Sequence, residues 1–425
     1  MKTTVAAWYV VWACSGCGEE AAHGDGDTSV GDTAASTDVI APDASPDENT
    51  PETATAPPLC STEGLVDRWT LEDLASDGPF LAGYVELTVF DPSRKTAAHG
   101  LVPEADGRAI GVRVHYPAEE GLLGPLTPPL LAPPARSQGP YPLLVHSHGF
   151  SSNKDELAYA ARWLATRGWV VASVEFPLTS LGTLGGPQLL DVVNQPEDVT
   201  AALDELMRRA MTAGELLDGM IDDDRVALSG VSLGGLTTLL ATYHRDLHDP
   251  RVKAAIDIAG PTAFLSPTFY GFVSLPVLLL YGDADAIVDH AAHALPARVR
   301  APAGSRLMTL AAASHTAFAD AAALFEALDH PDSLGCDAIA GQLPEGGFLD
   351  ELADPEVGVI DVEMPAPCTL DPLPHAMRPS RQHLLTRLAV YAWLELHLAS
   401  DAATRAAACE LLVSTLATQP DVELE

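Results

Sequence analysis

Positively charged residues are scarce in this sequence of 425 residues, in which 23 Lys and Arg stand against 59 Asp and Glu, for a net charge of -36. Such a surface repels phosphate groups, which argues against nucleic-acid binding and against docking on anionic lipid by charge. Long apolar runs are also missing, since no stretch of 18 consecutive apolar residues exists to cross a bilayer. With 47% hydrophobic and 19% charged residues, the composition is that of a globular protein and excludes a coiled coil or a collagen.

Residues 1–17 predict an export signal. One cation, Lys2, precedes a short apolar run from Val5 to Ala13, and small residues and cysteine follow. The end of the run resembles a bacterial lipoprotein signal, in which a small residue precedes a cysteine that becomes lipidated. Cys14 and Cys17 are both candidates for that anchor, and a plain cleaved signal is the alternative. We therefore expect an exported protein that is either secreted or held in the cell envelope by such an anchor.

Residues 18–60 predict a disordered acidic linker. The stretch from Gly18 to Pro58 contains ten acidic residues, no Lys or Arg and almost no large apolar side chain. Such a segment cannot bury enough apolar surface to fold, and its charges repel one another. It fits a tether between an anchor and the folded domain that we predict at 61–425.

Four further cysteines, Cys60, Cys336, Cys368 and Cys409, predict two disulfides, because an even number of cysteines in an exported chain indicates a disulfide framework. Three pairings are possible. We favour Cys336 with Cys368, which closes a loop-rich insertion, and Cys60 with Cys409, which ties the two ends of the domain together. Free buried thiols are the alternative.

The body of the chain predicts an α/β fold. Alternating apolar and polar residues at 82–90 and 108–116 predict two antiparallel opening strands. Apolar runs predict six more strands, at 142–146, 169–175, 225–229, 252–258, 276–281 and 306–311. Helical patterns occur at 155–167, 197–211, 233–244, 381–398 and 402–416. This alternation indicates a mostly parallel central sheet with helices on both faces, and the Gly-, Pro- and Asp-rich segment at about 328–379 predicts an inserted loop region.

The residues after the strand at 225–229 carry the signature of a nucleophile. The sequence Gly230-Val231-Ser232-Leu233-Gly234-Gly235 is a G-x-S-x-G motif between a strand and a helix, which is the setting that such an elbow requires. The tight turn projects the Ser232 side chain above the sheet, and Gly230 and Gly234 let strand and helix approach closely. We predict Ser232 as the nucleophile, with a glycine-rich turn that holds a spare serine as the alternative.

A serine hydroxyl needs a base within hydrogen-bond reach and an acid that orients the base. In this architecture the partners follow in the order Asp or Glu, then His, each in a loop after a strand. Asp285 lies after the strand at 276–281, and His315 is the only histidine just past a strand in the required order. We predict these two, with Asp283 and Asp289 as rival acids. Four other histidines fit a solvated or helix-surface role better: His244, His248, His290 and His293.

Two backbone N–H groups are predicted to form an oxyanion hole. One follows the nucleophile, at Leu233, and the other is that of Phe150, in the loop after the strand at 142–146. One such donor is typically worth roughly 3 kcal/mol of transition-state stabilisation. His146 and His148 have no third metal ligand nearby, so we expect no metal and expect His148 to brace the loop.

These residues together resemble the α/β-hydrolase superfamily. Within it the chain resembles secreted esterases of the platelet-activating-factor acetylhydrolase and dienelactone-hydrolase-like group, which is related to cutinase-type polyester hydrolases. The resemblance covers about 82–325 and 381–398, and it is carried by 110–117, 142–150, 195–199 and the elbow at Ser232. It implies Ser232, Asp285 and His315 as a catalytic triad, with the Phe150 and Leu233 amides as the oxyanion hole.

The chain departs from those relatives at three points. Dienelactone hydrolases use a cysteine nucleophile where this chain has Ser232. Many polyester hydrolases carry an aromatic residue just before the nucleophile, whereas this chain has Val231, although the oxyanion loop does carry the aromatic Phe150. The insertion after His315 is also longer than such enzymes usually have.

We therefore predict a secreted or surface-anchored serine carboxylic-ester hydrolase that works through an acyl-enzyme and needs no cofactor. Its partner is an ester substrate, whether small molecule, lipid or polyester. A thioesterase, peptidase or acyltransferase on the same triad is one alternative. A catalytically silent, lipid-anchored binding protein is another, and the intact Ser-Asp-His order argues against it.

Overall fold

The computed structural model describes residues 60, 69–124, 126, 129–340 and 352–425. These residues lie within one compact unit. The predicted export signal at 1–17, with both candidate anchor cysteines, and the predicted linker up to residue 59 lie outside the described residues. Within the described ranges, no helix combines the length and the hydropathy that are needed to cross a bilayer.

A nine-stranded sheet forms the centre of the molecule. Its strands, in chain order, are β1 (Leu81–Asp91), β2 (Arg108–Ala118), β3 (Tyr141–Ser147), β4 (Val170–Glu175), β5 (Ile221–Val231), β6 (Val252–Ile258), β7 (Val277–Gly282), β8 (Arg306–Leu310) and β9 (Val422–Leu424). The α-helices are α1 (Leu71–Ala75), α2 (Ala158–Thr166), α3 (Gln195–Ala210), α4 (Leu233–Tyr243), α5 (Pro267–Tyr270), α6 (His290–Arg300), α7 (Asp332–Ile339), α8 (Pro379–Leu398) and α9 (Ala402–Glu410).

The strand order in the sheet is β1-β2-β4-β3-β5-β6-β7-β8-β9. The opening strands β1 and β2 pair antiparallel, as predicted, and β2 also pairs antiparallel with β4. From β4 through β3 and β5 to β8 all pairs are parallel, and β9 adds an antiparallel edge. The predicted mostly parallel sheet is confirmed, and its parallel strands bring the loops after β5, β7 and β8 to one edge.

Both faces of the central strands are buried. Successive side chains of a strand point to opposite faces, and in β3 Leu143 and Val145 join one hydrophobic cluster while Leu144 joins another. Strand β5 repeats the pattern, with Leu228 in the first cluster and Ala227 in the second. This explains why these strands read as continuous apolar runs rather than as alternating ones.

Four helices were not predicted from the sequence: the short α1 and α5, and the longer α6 and α7. Helix α6 contains Pro296, which interrupts an otherwise helical pattern. Helix α7 lies inside the segment at 328–379 that we expected to be loop, and that expectation was wrong at 332–339. The predicted helix at 402–416 is α-helical only to Glu410, after which the backbone continues as a wider helical turn to Leu416.

Both favoured disulfides are present. Cys336 is bonded to Cys368 and Cys60 to Cys409. The first joins α7 to a later part of the inserted segment, and the second joins the start of the described chain to α9. The sequence separation is 32 residues for the first and 349 for the second, so they constrain the unfolded chain over very different loops.

Candidate active site

Ser232 lies in a strained turn between β5 and α4. Its backbone has φ of 57° and ψ of -122°, a conformation that a residue with a side chain rarely adopts and that clusters at functional sites. A Cβ atom at Gly230 would collide with the backbone of Gly234, and one at Gly234 would collide with the carbonyl of Ser147. The two glycines therefore permit the close approach of strand and helix that was predicted from the motif.

The Ser232 backbone is fixed by the neighbouring strand. Its N–H donates to the carbonyl of Ile258, at the end of β6, over 2.8 Å. The positive end of the α4 dipole lies directly after Ser232, where it favours negative charge. The hydroxyl is thus held at the carboxyl edge of the parallel strands.

Asp285 and His315 form a buried hydrogen-bonded pair at the same edge. Oδ2 of Asp285 is 2.7 Å from Nδ1 of His315, and both side chains are buried. The other carboxylate oxygen, Oδ1, accepts the backbone N–H groups of Ile287 and Val288 at 2.8 and 2.7 Å. Asp285 is therefore fixed by its own loop after β7, while it orients the ring that follows β8.

Opposing effects set the pKa of His315. Burial lowers it, but the charge and hydrogen bond of Asp285, with the charges of Asp332 and Glu156, outweigh burial and raise the pKa to about 8. For Asp285 burial dominates and raises the pKa, while the His315 ring opposes the shift. The imidazolium is thus the species that this pocket stabilises.

The rival acids have other partners. Oδ1 of Asp283 accepts the backbone N–H of Ala312 at 2.5 Å. Asp289 caps helix α6 by accepting the N–H of Ala292 at 2.7 Å. Among the three candidate acids, Asp285 is the one that contacts the His315 ring.

The four other histidines differ in burial, and His244 and His290 are half-buried. His248 is exposed, in agreement with the prediction. The prediction was wrong for His293, which is buried. Its Nδ1 accepts the backbone N–H groups of Thr262 and Ala263 at 3.0 and 3.1 Å. A histidine that caps a neighbouring loop in this way leaves no signature in a helical pattern.

Ser232 and His315 both line a cavity of about 460 Å³. Phe150 and Leu233 line it as well, so the four residues predicted to touch substrate surround one space. Among the residues that the structure describes, the His315 ring hydrogen-bonds Asp285 and forms no hydrogen bond with the Ser232 hydroxyl.

The wall of the cavity is mainly apolar. It includes residues of the inserted segment on two sides of the Cys336–Cys368 bond: Leu334, Ala338 and Ile339 from α7, and Met364, Pro365 and Pro367 from the later part. No Lys or Arg is among the described residues that line it. The inserted segment therefore shapes the space in front of Ser232.

Within the part of the chain that the structure describes, the N–H groups of Phe150 and Leu233 have no hydrogen-bond acceptor. Neither donates to a backbone or side-chain acceptor among the described residues. The loop before Phe150 is braced by the buried Glu156, whose two carboxylate oxygens both accept the N–H of Gly149 at 3.1 Å. Two free donors on rigid backbone beside a serine suit an oxyanion.

His148 braces the loop that carries Phe150, as predicted. Its Nδ1 is 2.7 Å from the carbonyl of Gly149, and its Nε2 accepts the N–H of Phe176 at 3.1 Å. Burial lowers the pKa of His148, so the ring stays neutral with its proton on Nδ1. The nearby His146 is buried against the Ser229 hydroxyl, at 3.0 Å.

Comparisons with known proteins identify a family model, curated relatives and a solved structure that this chain resembles. Residues 131–326 match the family model described as PETase, PET hydrolase-like. A solved structure of a ferulic acid esterase from Streptomyces cinnamoneus aligns with 77% of this chain and 93% of its own, with a TM-score of 0.51 and 22% identity. The chain has the α/β-hydrolase fold.

The chain is similar to curated cutinase-type enzymes, as the sequence resemblance implied. It is 28% identical to Cutinase 1 of Thermobifida cellulosilytica over 161 residues, which are 38% of this chain and 54% of that protein. It is 30% identical to the bis(hydroxyethyl) terephthalate hydrolase of Streptomyces coelicolor over 164 residues, or 39% and 46% of the two chains. The alignments span about half the length of these relatives.

Sequence reasoning missed several residues that hold the candidate site. Glu156 fastens the loop before Phe150 by accepting the N–H of Gly149, and Gln382 of α8 binds both the N–H and the carbonyl of Ser314, at 3.1 and 2.8 Å. Asp332 of α7 contacts the backbone of His315. None stands in a motif, and the one signal near Asp332 was the predicted pairing of Cys336.

Proposed function

We propose that this protein is a serine carboxylic-ester hydrolase with Ser232 as nucleophile, His315 as base and Asp285 as the orienting acid. The observation that carries the proposal is that the strained elbow of Ser232 and the hydrogen-bonded pair of Asp285 and His315 meet at one cavity. The names of the relatives, a cutinase and a terephthalate ester hydrolase, support ester cleavage.

The first half of the reaction acylates the serine. As Oγ of Ser232 attacks the ester carbonyl, His315 accepts the hydroxyl proton, and Asp285 stabilises the imidazolium that forms. The negative charge on the carbonyl oxygen is received by the N–H groups of Phe150 and Leu233. The intermediate then collapses, the imidazolium protonates the leaving alkoxide, and the alcohol departs.

The second half releases the acid. Water attacks the acyl-enzyme carbonyl, with His315 now accepting the proton of the water, and the same two N–H groups receive the oxyanion. Collapse returns the proton to Ser232 and frees the carboxylic acid. The Ser232–His315 contact is completed when substrate binds, because catalytic hydrogen bonds are often long in the free enzyme.

The substrate class we infer is an uncharged ester with an apolar acyl group. The cavity offers apolar contacts from both parts of the inserted segment, and its described lining includes no Lys or Arg to pair with a carboxylate. Glu156 and Asp285, in contrast, supply negative charge close to His315. Bis(hydroxyethyl) terephthalate, in the name of the Streptomyces relative, is an ester of this uncharged kind.

The test compares p-nitrophenyl esters with matched thioesters and anilides, using the parent chain, Ser232→Ala and the exposed control Ser137→Ala. We expect the esters to be cleaved by the parent and by Ser137→Ala and not by Ser232→Ala. Preferred cleavage of thioesters or anilides would instead indicate the thioesterase or peptidase alternative. Failure of the parent to cleave any of them would favour the silent binding protein.

We also infer that the protein is exported as a three-part chain. The sequence predicts a leader at 1–17 with a lipid anchor at Cys14 or Cys17, an acidic linker at 18–60 and the catalytic domain at 61–425. Two disulfides in the folded part support an oxidising compartment. Mass spectrometry of the mature N-terminus tests this, and an unprocessed Met1 in an envelope or secreted fraction would contradict it.

A further inference from the structure

Asp332 is a buried carboxylate that contacts two loops of the site. It is 0% exposed and opens helix α7 in the inserted segment. Its Oδ2 accepts the N–H of Ala286 at 2.9 Å and the N–H of His315 at 3.1 Å, while its Oδ1 accepts the N–H of Thr316 at 2.6 Å. One side chain thus joins the residue next to Asp285 to His315 itself.

We propose that Asp332 is a positioning residue for the reaction: its carboxylate fastens the loop that carries Asp285 to the loop that carries His315. The inference rests on the proposed function, because it assigns a role within the same triad. It also goes beyond the family match, since residues 131–326 are matched and Asp332 lies outside them.

The same inserted segment holds the acid loop at two more points. The ring of His330 accepts the N–H of Asp332 with Nδ1, at 3.2 Å, and donates from Nε2 to the carbonyl of Ala284, at 3.0 Å. The N–H of Cys368 donates to the carbonyl of Ala286 at 2.7 Å. Both neighbours of Asp285 are therefore bonded to the inserted segment.

The disulfide closes this arrangement. Cys336 lies on α7, one turn after Asp332, and its bond to Cys368 connects the two parts of the segment that hold Ala286. A triad needs its donor and acceptor atoms held to a fraction of an ångström, and a misplacement of about 1 Å can cost about 100-fold in rate. Asp332 meets that need with three hydrogen bonds to backbone rather than to mobile side chains.

Asp332 also contributes charge near the base. The charged and titratable groups that face His315 are Asp285 from the loop after β7, His293 from α6, Asp332 from α7 and Glu156 from the segment after β3. Of the three carboxylates, Asp285 touches the ring, whereas Asp332 binds the backbone N–H of His315. Removing the charge of Asp332 is therefore expected to lower the pKa of the His315 ring as well as to loosen its loop.

The experiment uses Asp332→Asn, with Asp337→Asn as the matched control. Asp337 lies on the same helix and is exposed, so the control removes the same charge without a buried contact. In Asp332→Asn one acceptor oxygen becomes an amide NH₂ that faces an N–H donor. We expect kcat for p-nitrophenyl butyrate to fall at least about tenfold, with KM within about threefold of the parent.

A second readout separates positioning from general loss of stability. The acid limb of kcat/KM is expected to move to lower pH in Asp332→Asn and to stay in place in Asp337→Asn. If Asp332 only stabilised the fold, its substitution would lower the melting temperature and leave the acid limb of kcat/KM at the pH of the parent. Asp332→Glu keeps the charge but displaces the carboxylate by one methylene. We therefore expect its acid limb of kcat/KM to lie at the pH of the parent and its kcat to fall.

Titration of the His315 imidazole by NMR, without substrate, keeps the inference testable on its own. The resonance is assigned by its loss in His315→Gln. If the parent cleaves no ester, the proposed function fails. The NMR titration of Asp332→Asn still reports whether the charge of Asp332 raises the pKa of the His315 ring. A His315 titration and a kcat unchanged in Asp332→Asn would overturn the inference. Should that variant not fold, parent-like kcat in Asp332→Glu would overturn it instead.

Discussion

Oδ2 of Asp285 lies 2.7 Å from Nδ1 of His315, and the cavity that His315 lines also contains Ser232. This contact places the ring proton on Nδ1 and leaves Nε2 as the acceptor, which is the tautomer that a serine nucleophile requires. The two N–H groups that bind Oδ1 of Asp285 prevent the carboxylate from turning away.

Asp285→Asn is expected to lower kcat by about three to four powers of ten, because an amide at this position favours the wrong histidine tautomer. The measurement is steady-state hydrolysis of p-nitrophenyl butyrate. Asp283→Asn is the matched control, since its side chain accepts the N–H of Ala312 through an oxygen that asparagine retains. Comparable losses in both variants would contradict the assignment of Asp285.

The activity is expected to rise with pH and to level off above pH 8. His315 must be neutral to accept the serine proton, and its pKa is raised from 6.5 to about 8, so lower pH protonates the base. Below the midpoint, kcat/KM for an uncharged ester should fall about tenfold per pH unit. A midpoint at or below 6.5, the ordinary imidazole value, would contradict the proposed pairing with Asp285.

The two disulfides are expected to differ in their effect on activity. Removing either pair by double Cys→Ser substitution should destabilise the fold by about 3 to 5 kcal/mol. Only loss of Cys336–Cys368 should also lower kcat, because the N–H of Cys368 binds the carbonyl of Ala286 beside Asp285. Urea denaturation and ester hydrolysis measure the two effects, and equal losses of activity in both double variants would refute the distinction.

Leu334→Trp is expected to shorten the acyl chains that the enzyme accepts. Leu334 lines the cavity from α7, and a larger side chain there takes space that a long acyl group needs. The ratio of kcat/KM for p-nitrophenyl octanoate to that for the acetate should fall about tenfold or more. Leu324→Trp is the control, because Leu324 is 69% exposed and does not line the cavity. An unchanged ratio in Leu334→Trp would show that the inserted segment does not bound the acyl site.

The sheet and the elbow were predictable from the sequence because their signals are local. A strand that reads as an apolar run, a G-x-S-x-G turn and a following helix are adjacent in the chain, and the chain order then selects Asp285 and His315. Strand β6 was predicted with the same ends that the structure has. The positive φ of Ser232 also follows from that motif.

The supports of the site were not predictable, because they act across long sequence separations. Gln382 binds Ser314 from 68 residues away, and Asp332 binds Ala286 from 46 residues away. Glu156 is the exception, because it lies only 7 residues from Gly149, but it stands in no motif. An isolated polar residue in a Gly- and Pro-rich segment carries no periodicity, so neither α7 nor the burial of Asp332 has a local signal. Only the predicted pairing of Cys336 with Cys368 indicated that this segment is tied down.

Labelling with a fluorophosphonate probe, followed by peptide mass spectrometry, tests the central claim most directly. The probe reacts with a serine only when a base activates it, so the account predicts a single adduct on Ser232 in the folded parent. The adduct should be absent from Ser232→Ala and form far more slowly in His315→Gln. A folded parent that takes no label, or an adduct on another serine, would contradict the account.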